Sequence, residues 1–363
     1  MNHTTEYPLE PLDSCDQTHS SFFVSITHLG LIKVDGPDAK KFLQGQLTCH
    51  LEELTLDSFR LGAHCNVQGR ALATFYIFYW QEAYFIVLDH SIVSDWLNTL
   101  KKYSVFFKAG LSDVSDSFIF FGWQGLEYPI VSPYQLQVEG GDCILLGLRS
   151  GASSTPATDS NALATNSSSS ALASGSRVLA IVPKSSAQVP VYHQALDLYA
   201  SKELSLQGES SFQRESSFQE HWKLSDIVSG MAHVNADTAG QYIPIELNYD
   251  LLEGIHFKKG CYTGQEIIAR MHFRGKPKFR VVYAELFDIL DVSANQSLYI
   301  HEDSNKILFG KVFSWVQKKH KIHAILLVNM AWLKKQGIEK KQRIDLAEPL
   351  GVVHICSNIH DME

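Results

Sequence analysis

The chain has no run of eighteen apolar residues uninterrupted by charge, and no membrane-spanning helix is expected from it. Its first twenty residues, Met1 to Ser20, are polar and acidic, with neither a basic start nor an apolar stretch. No secretory signal fits them. Paired cysteines are missing as well. Cys15, Cys49, Cys65, Cys143, Cys261 and Cys356 are scattered, with no CxxC and no zinc spacing. In a chain with no export signal they read as free thiols of a reducing compartment, so the expected setting is cytoplasmic. Positive charge is also short. The formal net charge is -8, which argues against a general nucleic-acid binder. No internal repeat of fixed period is visible.

What is present is an ordinary globular composition, 45% hydrophobic and 19% charged over 363 residues. That length accommodates two or three packed units. Residues 22–34 read as two short strands, and Gly36-Pro37-Asp38 opens a helix through Phe42, Leu43 and Leu47. A meander follows: RLGAHCNV from Arg60, a turn at Gln68-Gly69, ALATFYIFYW, a turn at Gln81-Glu82, then AYFIVLD. Ile92, Val93, Trp96, Leu97, Leu100 and Tyr103 recur at helical spacing and are expected to pack on that sheet. Strand character returns at Phe106–Leu111, at residues 118–123 and at 143–148. Between Ser150 and Ser176 the chain is Ser, Ala, Thr and Asn with little to bury. This tract is expected to be a disordered insertion, because ordering costs about 1–2 kcal/mol per residue. Gln207 to Gln219 reads as a second loop. Beyond Phe279, short strands predict a small terminal β-barrel.

Residues 256–280, HFKKGCYTGQEIIARMHFRGKPKFR, carry the chemistry. Thr263 and Glu266 have capping-box spacing, which predicts a helix from near Thr263 past Arg270. Cys261 then lies just ahead of that helix, close to Lys258 and Lys259, where a thiol is expected to ionise more readily. Gly260 and Gly264 allow tight turns on either side. By itself a lone cysteine is more often a small buried hydrophobe. One thiolate does not hold an iron–sulfur cluster, which usually takes four ligands, and His256 and His272 complete no zinc spacing. The segment is also basic: Lys258, Lys259, Arg270, Arg274, Lys276, Lys278 and Arg280 stand against Glu266 alone. Such a concentration of one sign favours an anionic ligand, a polyglutamate tail or an RNA phosphate.

Lys259, Gly260, Cys261, Tyr262, Gly264, Gln265 and Glu266 resemble the YgfZ family signature K-G-C-Y-x-G-Q-E at every fixed position. Asp35 to Thr48, Ala63 to Gly69, Leu100 to Lys108 and Gly240 to Asn248 agree in order. The resemblance thus extends from about Leu31 to Arg280 and weakens beyond. It implies an α+β fold like that of the glycine cleavage T-protein, with two α+β domains and a C-terminal β-barrel around a tetrahydrofolate site. The corresponding divisions are residues 21–115, 116–278 (with the insertion 150–176 and the motif) and 279–350. It further implies a role in keeping iron–sulfur enzymes active, including clients that methylthiolate tRNA, with Cys261 as the functional group. The folate contacts it implies fall on Trp222 and Leu29, joined by Lys259, Tyr262, Gln265, Glu266 and Arg270.

Two departures accompany the resemblance. Family members are expected to hold folate between two tryptophans; one matches Trp222, but the other position is Leu29. The E-A-G triplet that follows the tryptophan in related folate proteins, whose glutamate hydrogen-bonds the pterin, is Val228-Ser229-Gly230 here. The chain is therefore read as a folate-responsive accessory factor for iron–sulfur enzymes, with no turnover of its own expected. A tetrahydrofolate-dependent aminomethyl or methyl transferase is the runner-up. It lacks the aspartate that the T-protein carries in the strand matching Ala71–Phe75. A non-catalytic RNA-binding module using residues 258–280 is a third reading, with direct nucleic-acid contact disfavoured by the overall charge. A cysteine hydrolase would need His64 or His256 beside Cys261.

Overall fold

A computed structural model of the chain describes residues 22–125, 131–149, 177–197, 211–289, 291–302, 305–318, 320–335, 343–347 and 349–356. The Ser-rich tract 150–176 lies outside them. Three antiparallel sheets form the frame, with helices on their faces. The molecule is α+β.

The first sheet runs β3-β4-β5-β2-β6, from β2 (Leu29–Asp35), β3 (Phe59–Cys65), β4 (Ala71–Trp80), β5 (Ala83–Asp89) and β6 (Gly110–Asp113). Gln81 and Glu82, between β4 and β5, have φ of 46° and 59°. Both central residues are thus left-handed, as a two-residue hairpin turn needs in order to follow the strands' twist. Helix α1 (Ala39–Gln44) follows β2, and helix α2 (Val93–Ser104) buries Val93, Trp96, Leu97 and Leu100. Tyr103, expected on that buried face, is half-exposed at the helix end. The strand expected at Phe106–Leu111 starts only at Gly110, and Phe106 is 86% exposed. Aromatic content gave it strand character, yet no neighbouring strand pairs with it.

The second sheet is β1-β7-β10-β9-β8, from β1 (Phe22–Ile26), β7 (Phe118–Gln124), β8 (Leu136–Glu139), β9 (Cys143–Leu148) and β10 (Arg177–Pro183). The two strands read in residues 22–34 are therefore real, but they part at His28 into different sheets. Helix α3 (described over residues 189–197) and helix α4 (Ser211–Val228) follow. The loop expected at Gln207–Gln219 is corrected by α4 from Ser211 onward, where the residues are helical; residues 207–210 lie outside the described residues. That stretch holds neither proline nor glycine, and the helix rests on β1. Polar composition alone resembled a loop, whereas further along the same helix Trp222, Leu224 and Ile227 are buried.

Helix α5 (Gln265–Arg274) leads into the third sheet, β12-β13-β14-β11-β16-β15. Its strands are β11 (Phe279–Phe287), β12 (Ser297–Glu302), β13 (Asn305–Lys318), β14 (Lys321–Asn329), β15 (Arg343–Ala347) and β16 (Leu350–Ile355), with α6 (Met330–Lys335) between β14 and β15. The outer strands β12 and β15 approach each other, which nearly closes a barrel. One face of this sheet fills its own core around Phe309, Val312, Ala324 and Leu326. The other face, with Val281, Tyr283, Phe313 and Ile325, joins the core shared by the first two sheets.

Candidate functional site

Two features stand apart. The first is a cavity of about 340 Å³ where β1 gives way to β2. Thr27 and His28 come from that junction, Asp89 from the end of β5, Gln219, Lys223 and Asp226 from α4, and His233 and Asn235 from the segment after it. Gln219 donates to the Ser25 carbonyl and ties the helix to β1. Burial lowers the pKa of His28 and of His233, against the opposing pull of Asp226 on both, so both imidazoles are neutral at pH 7. His233 Nε2 is 3.2 Å from the Tyr76 hydroxyl and 3.9 Å from Asp226 Oδ1. Burial also lowers the Lys223 ammonium.

Behind the cavity wall lies Trp222, 2% exposed. The Arg177 guanidinium covers its ring, with Cζ 3.9 Å from the centroid. Gly122 sits against the ring's Cε3 and Cζ3 atoms, where an added Cβ would overlap the indole. Arg177, 1% exposed, donates to the Trp222 carbonyl at 3.3 Å and pairs with Asp226 Oδ1 at 2.7 Å. Leu29 is half-buried against the core and is not among the residues lining the cavity; its neighbour His28 is.

The second feature is the loop ending at α5. Its cysteine is exposed, while Cys49, Cys65, Cys143 and Cys356 are buried. Burial pushes the Cys49 and Cys143 thiols up to about 11 and raises Cys65 further. The loop is held from below by Lys259, whose Nζ donates to the carbonyls of Leu47 at 2.6 Å and Cys49 at 2.7 Å. This corrects the expectation that Lys259 serves the Cys261 thiolate or a folate carboxylate: its ammonium is buried and already engaged, and burial lowers it to about 8. Tyr262 is buried beside it, 5.3 Å from Nζ to ring centroid.

The expected capping box is also replaced. Helix α5 begins at Gln265 after Gly264, with no side-chain cap. Thr263 Oγ1 instead donates to Gln46 Oε1, and Gln265 Oε1 accepts from the Tyr262 N–H. The reason is backbone shape: Gly264 has φ +82°, and a Cβ there would lie 2.6 Å from the Asn66 carbonyl oxygen. Neither proposed activating histidine serves Cys261. His64 is buried and accepts from Trp96 Nε1 at 2.9 Å, and His256 Nε2 faces Glu53 at 3.1 Å. Of the seven basic residues in 258–280, Lys259 and Arg280 are buried and partnered, leaving five exposed cations with Glu266.

The motif residues Lys259, Tyr262, Gln265, Glu266 and Arg270 do not line the cavity; they build and flank the cysteine loop. Sequence reading passed over Asp226, Arg177, His28 and His233. Asp226 had a signal, since it lies four residues after Trp222 and so on the same helix face. Arg177 had none, because it follows the Ser-rich tract and meets Asp226 only through the fold. Among the described residues no cluster of three or more metal-ligating side chains occurs, and no helix is long and apolar enough to cross a membrane.

No family model matches the chain. The tRNA-modifying protein YgfZ of Aliivibrio fischeri is 30% identical over 271 residues, which cover 74% of this chain and 72% of that protein. The chain belongs to the YgfZ family. The YgfZ proteins of Colwellia psychrerythraea and Yersinia enterocolitica are 26% and 27% identical, over 74% and 84% of this chain and 72% and 80% of theirs. The fold is similar to that of aminomethyltransferase T of the glycine cleavage system from Bartonella henselae. The TM-score is 0.59 at 16% identity, over 93% of this chain and 85% of that one. In this YgfZ member the cavity and the cysteine loop are thus two separate features of an aminomethyltransferase-like fold.

Proposed function

We propose that this chain is a folate-binding accessory factor for the assembly or repair of iron–sulfur enzymes, those that modify tRNA among them, and that it acts through Cys261. The observation that carries this is exposure: among the described cysteines Cys261 alone reaches solvent, on a loop anchored by a buried lysine. A thiol meant only to fill space is buried; this one is held out on a braced loop. It offers a single sulfur where a cluster usually takes four ligands. The cluster therefore belongs to the client, and Cys261 meets it, or a client thiol, across an interface. The tRNA-modifying name of the relatives supports the choice of clients.

On this proposal tetrahydrofolate occupies the cavity beside α4. The volume of about 340 Å³ falls in the range of small-molecule sites. The lining offers acceptors to a pterin's N–H groups in the carboxylates of Asp89, Glu220 and Asp226, with the Lys223 ammonium and two neutral imidazoles beside Ile227 and Met231. When bound, tetrahydrofolate supplies a reduced pterin and a one-carbon carrier; the residues of this chain bind and orient it.

The test is tRNA methylthiolation, read by mass spectrometry of tRNA nucleosides, in a strain deleted for this gene. Wild type is expected to restore the modification and Cys261→Ala to fail while remaining folded and abundant. Equal restoration by both would make the thiol dispensable and sink the proposal.

A further inference from the structure

Resting on the folate reading, a specific question is which groups recognise the pterin, since both family contacts are altered at Leu29 and Val228. Val228 is half-buried against the core and offers no acceptor. Trp222 remains, but it is 2% exposed, packed against Gly122 and covered by Arg177, which leaves no open face for a ligand.

Three carboxylates line the cavity, Asp89, Glu220 and Asp226, and Asp226, two residues earlier than the family position, is the one paired with a buried guanidinium. Its side chain is 12% exposed. It is held by a fully buried cation: Arg177 Nη1 at 2.7 Å from Oδ1, with Nη2 on the Trp222 carbonyl and the guanidinium lying on the indole. A planar guanidinium fixed at its nitrogens and over an aromatic ring has little freedom. Its partner carboxylate is accordingly fixed too. The order of support runs from Trp222 to Arg177 to Asp226 to the cavity.

We propose that Asp226 is the group that recognises the ligand's head, and that Trp222 and Arg177 are positioning residues that aim it. A carboxylate only accepts hydrogen bonds. Asp226 Oδ1 is buried against Arg177, so Oδ2 is the oxygen left to accept one N–H donor, which the 2-amino group of a pterin's 2-amino-4-oxopyrimidine half supplies. The related ring lumazine carries an oxygen in place of that amino group and turns a donor into an acceptor. A site whose buried acceptor loses its donor discriminates strongly. One charge-assisted hydrogen bond corresponds to roughly 10- to 100-fold in affinity.

The test measures binding of 5-formyltetrahydrofolate, pterin and lumazine by isothermal titration calorimetry to the full chain. Wild type is expected to bind 5-formyltetrahydrofolate and to prefer pterin over lumazine by roughly 10- to 100-fold. Asp226→Asn, whose amide can donate, is expected to lose that preference and a similar factor in 5-formyltetrahydrofolate affinity. Because it also strands a buried guanidinium, Arg177→Met/Asp226→Asn, which removes the pair together, is the second arm and is expected to behave alike. Trp222→Leu is expected to weaken binding in the wild-type background and to add nothing once Asp226→Asn is present, whereas a stacking role would give additive losses. A pterin preference that survives both Asp226 variants, or additive loss with Trp222→Leu, overturns the proposal while leaving folate binding intact. No binding of 5-formyltetrahydrofolate to wild type removes the folate reading itself, and the proposal with it.

Discussion

At the residue scale, identical residue types in this chain have opposite roles, and solvent decides between them. Cys261 is exposed while Cys65 and Cys49 fill the core under the first sheet. Lys258 is exposed beside it, whereas Lys259 is a buried strut. His64 shows what burial does to a titrating group. Its imidazole is buried, accepts from Trp96, and has a pKa pushed down to about 4 by desolvation. The unfolded chain takes up the proton near the ordinary value of about 6.5, the folded chain only below that. Stability from this group is therefore complete above pH 6.5 and drains away as pH falls toward 4. The loss approaches about 3 kcal/mol at the acid end. Urea unfolding between pH 7 and 4.5 is expected to show this slope and to show less of it in His64→Gln. Equal slopes in the two proteins would mean other groups carry the acid sensitivity.

At the scale of elements, the turn before α5 is where the motif acquires its shape. Its two glycines looked alike in the sequence, and the structure separates them. Gly264 is left-handed, with the Asn66 carbonyl 2.6 Å from a would-be Cβ, whereas nothing lies within 4 Å of one at Gly260. Gly264→Ala is expected to destabilise by roughly 1–3 kcal/mol, since a backbone oxygen cannot give way as a side chain can. Gly260→Ala is expected to stay within about 0.5 kcal/mol of wild type. Thermal melts of the two variants decide it. Comparable losses would show that the loop tightness resides elsewhere than at Gly264. The same turn explains why a capping-box spacing was misleading: with Gly264 left-handed, Thr263 faces Gln46 and not the helix end.

At the scale of the whole molecule, the barrel-like sheet is joined to the rest by a shared core and by one arginine. Arg280, at the start of β11, donates to the Ile245 carbonyl, to Asn248 Oδ1 and to both carboxylate oxygens of Asp250. Both Arg280 and Asp250 are under 9% exposed in their side chains. Leaving Asp250 uncompensated is expected to cost roughly 3–5 kcal/mol. Because Val281, Tyr283, Phe313 and Ile325 lie in the same core as Phe42, Phe75 and Leu179, Arg280→Ala is expected to lower one calorimetric transition, not to split it. Two resolved transitions in the variant would show that the terminal sheet unfolds as a separate unit.

Much was legible in the sequence alone. Alternation and turn residues marked β4, β5, β7, β9 and the terminal strands, because strand period and turn chemistry are local properties. The run from Lys259 to Glu266 pointed to the family and to Cys261, because its residue types and spacing are dense enough to be specific. Only the tertiary structure decided which cations are already engaged, since Lys259 donates to backbone carbonyls and Arg280 pairs with a carboxylate, all far along the chain. It alone enclosed Trp222 and brought Arg177 onto Asp226. The physical reason is range. Periodicity and capping patterns record what a residue does with neighbours a few positions away, whereas burial and ion pairing depend on which distant segments the packed core sets against one another.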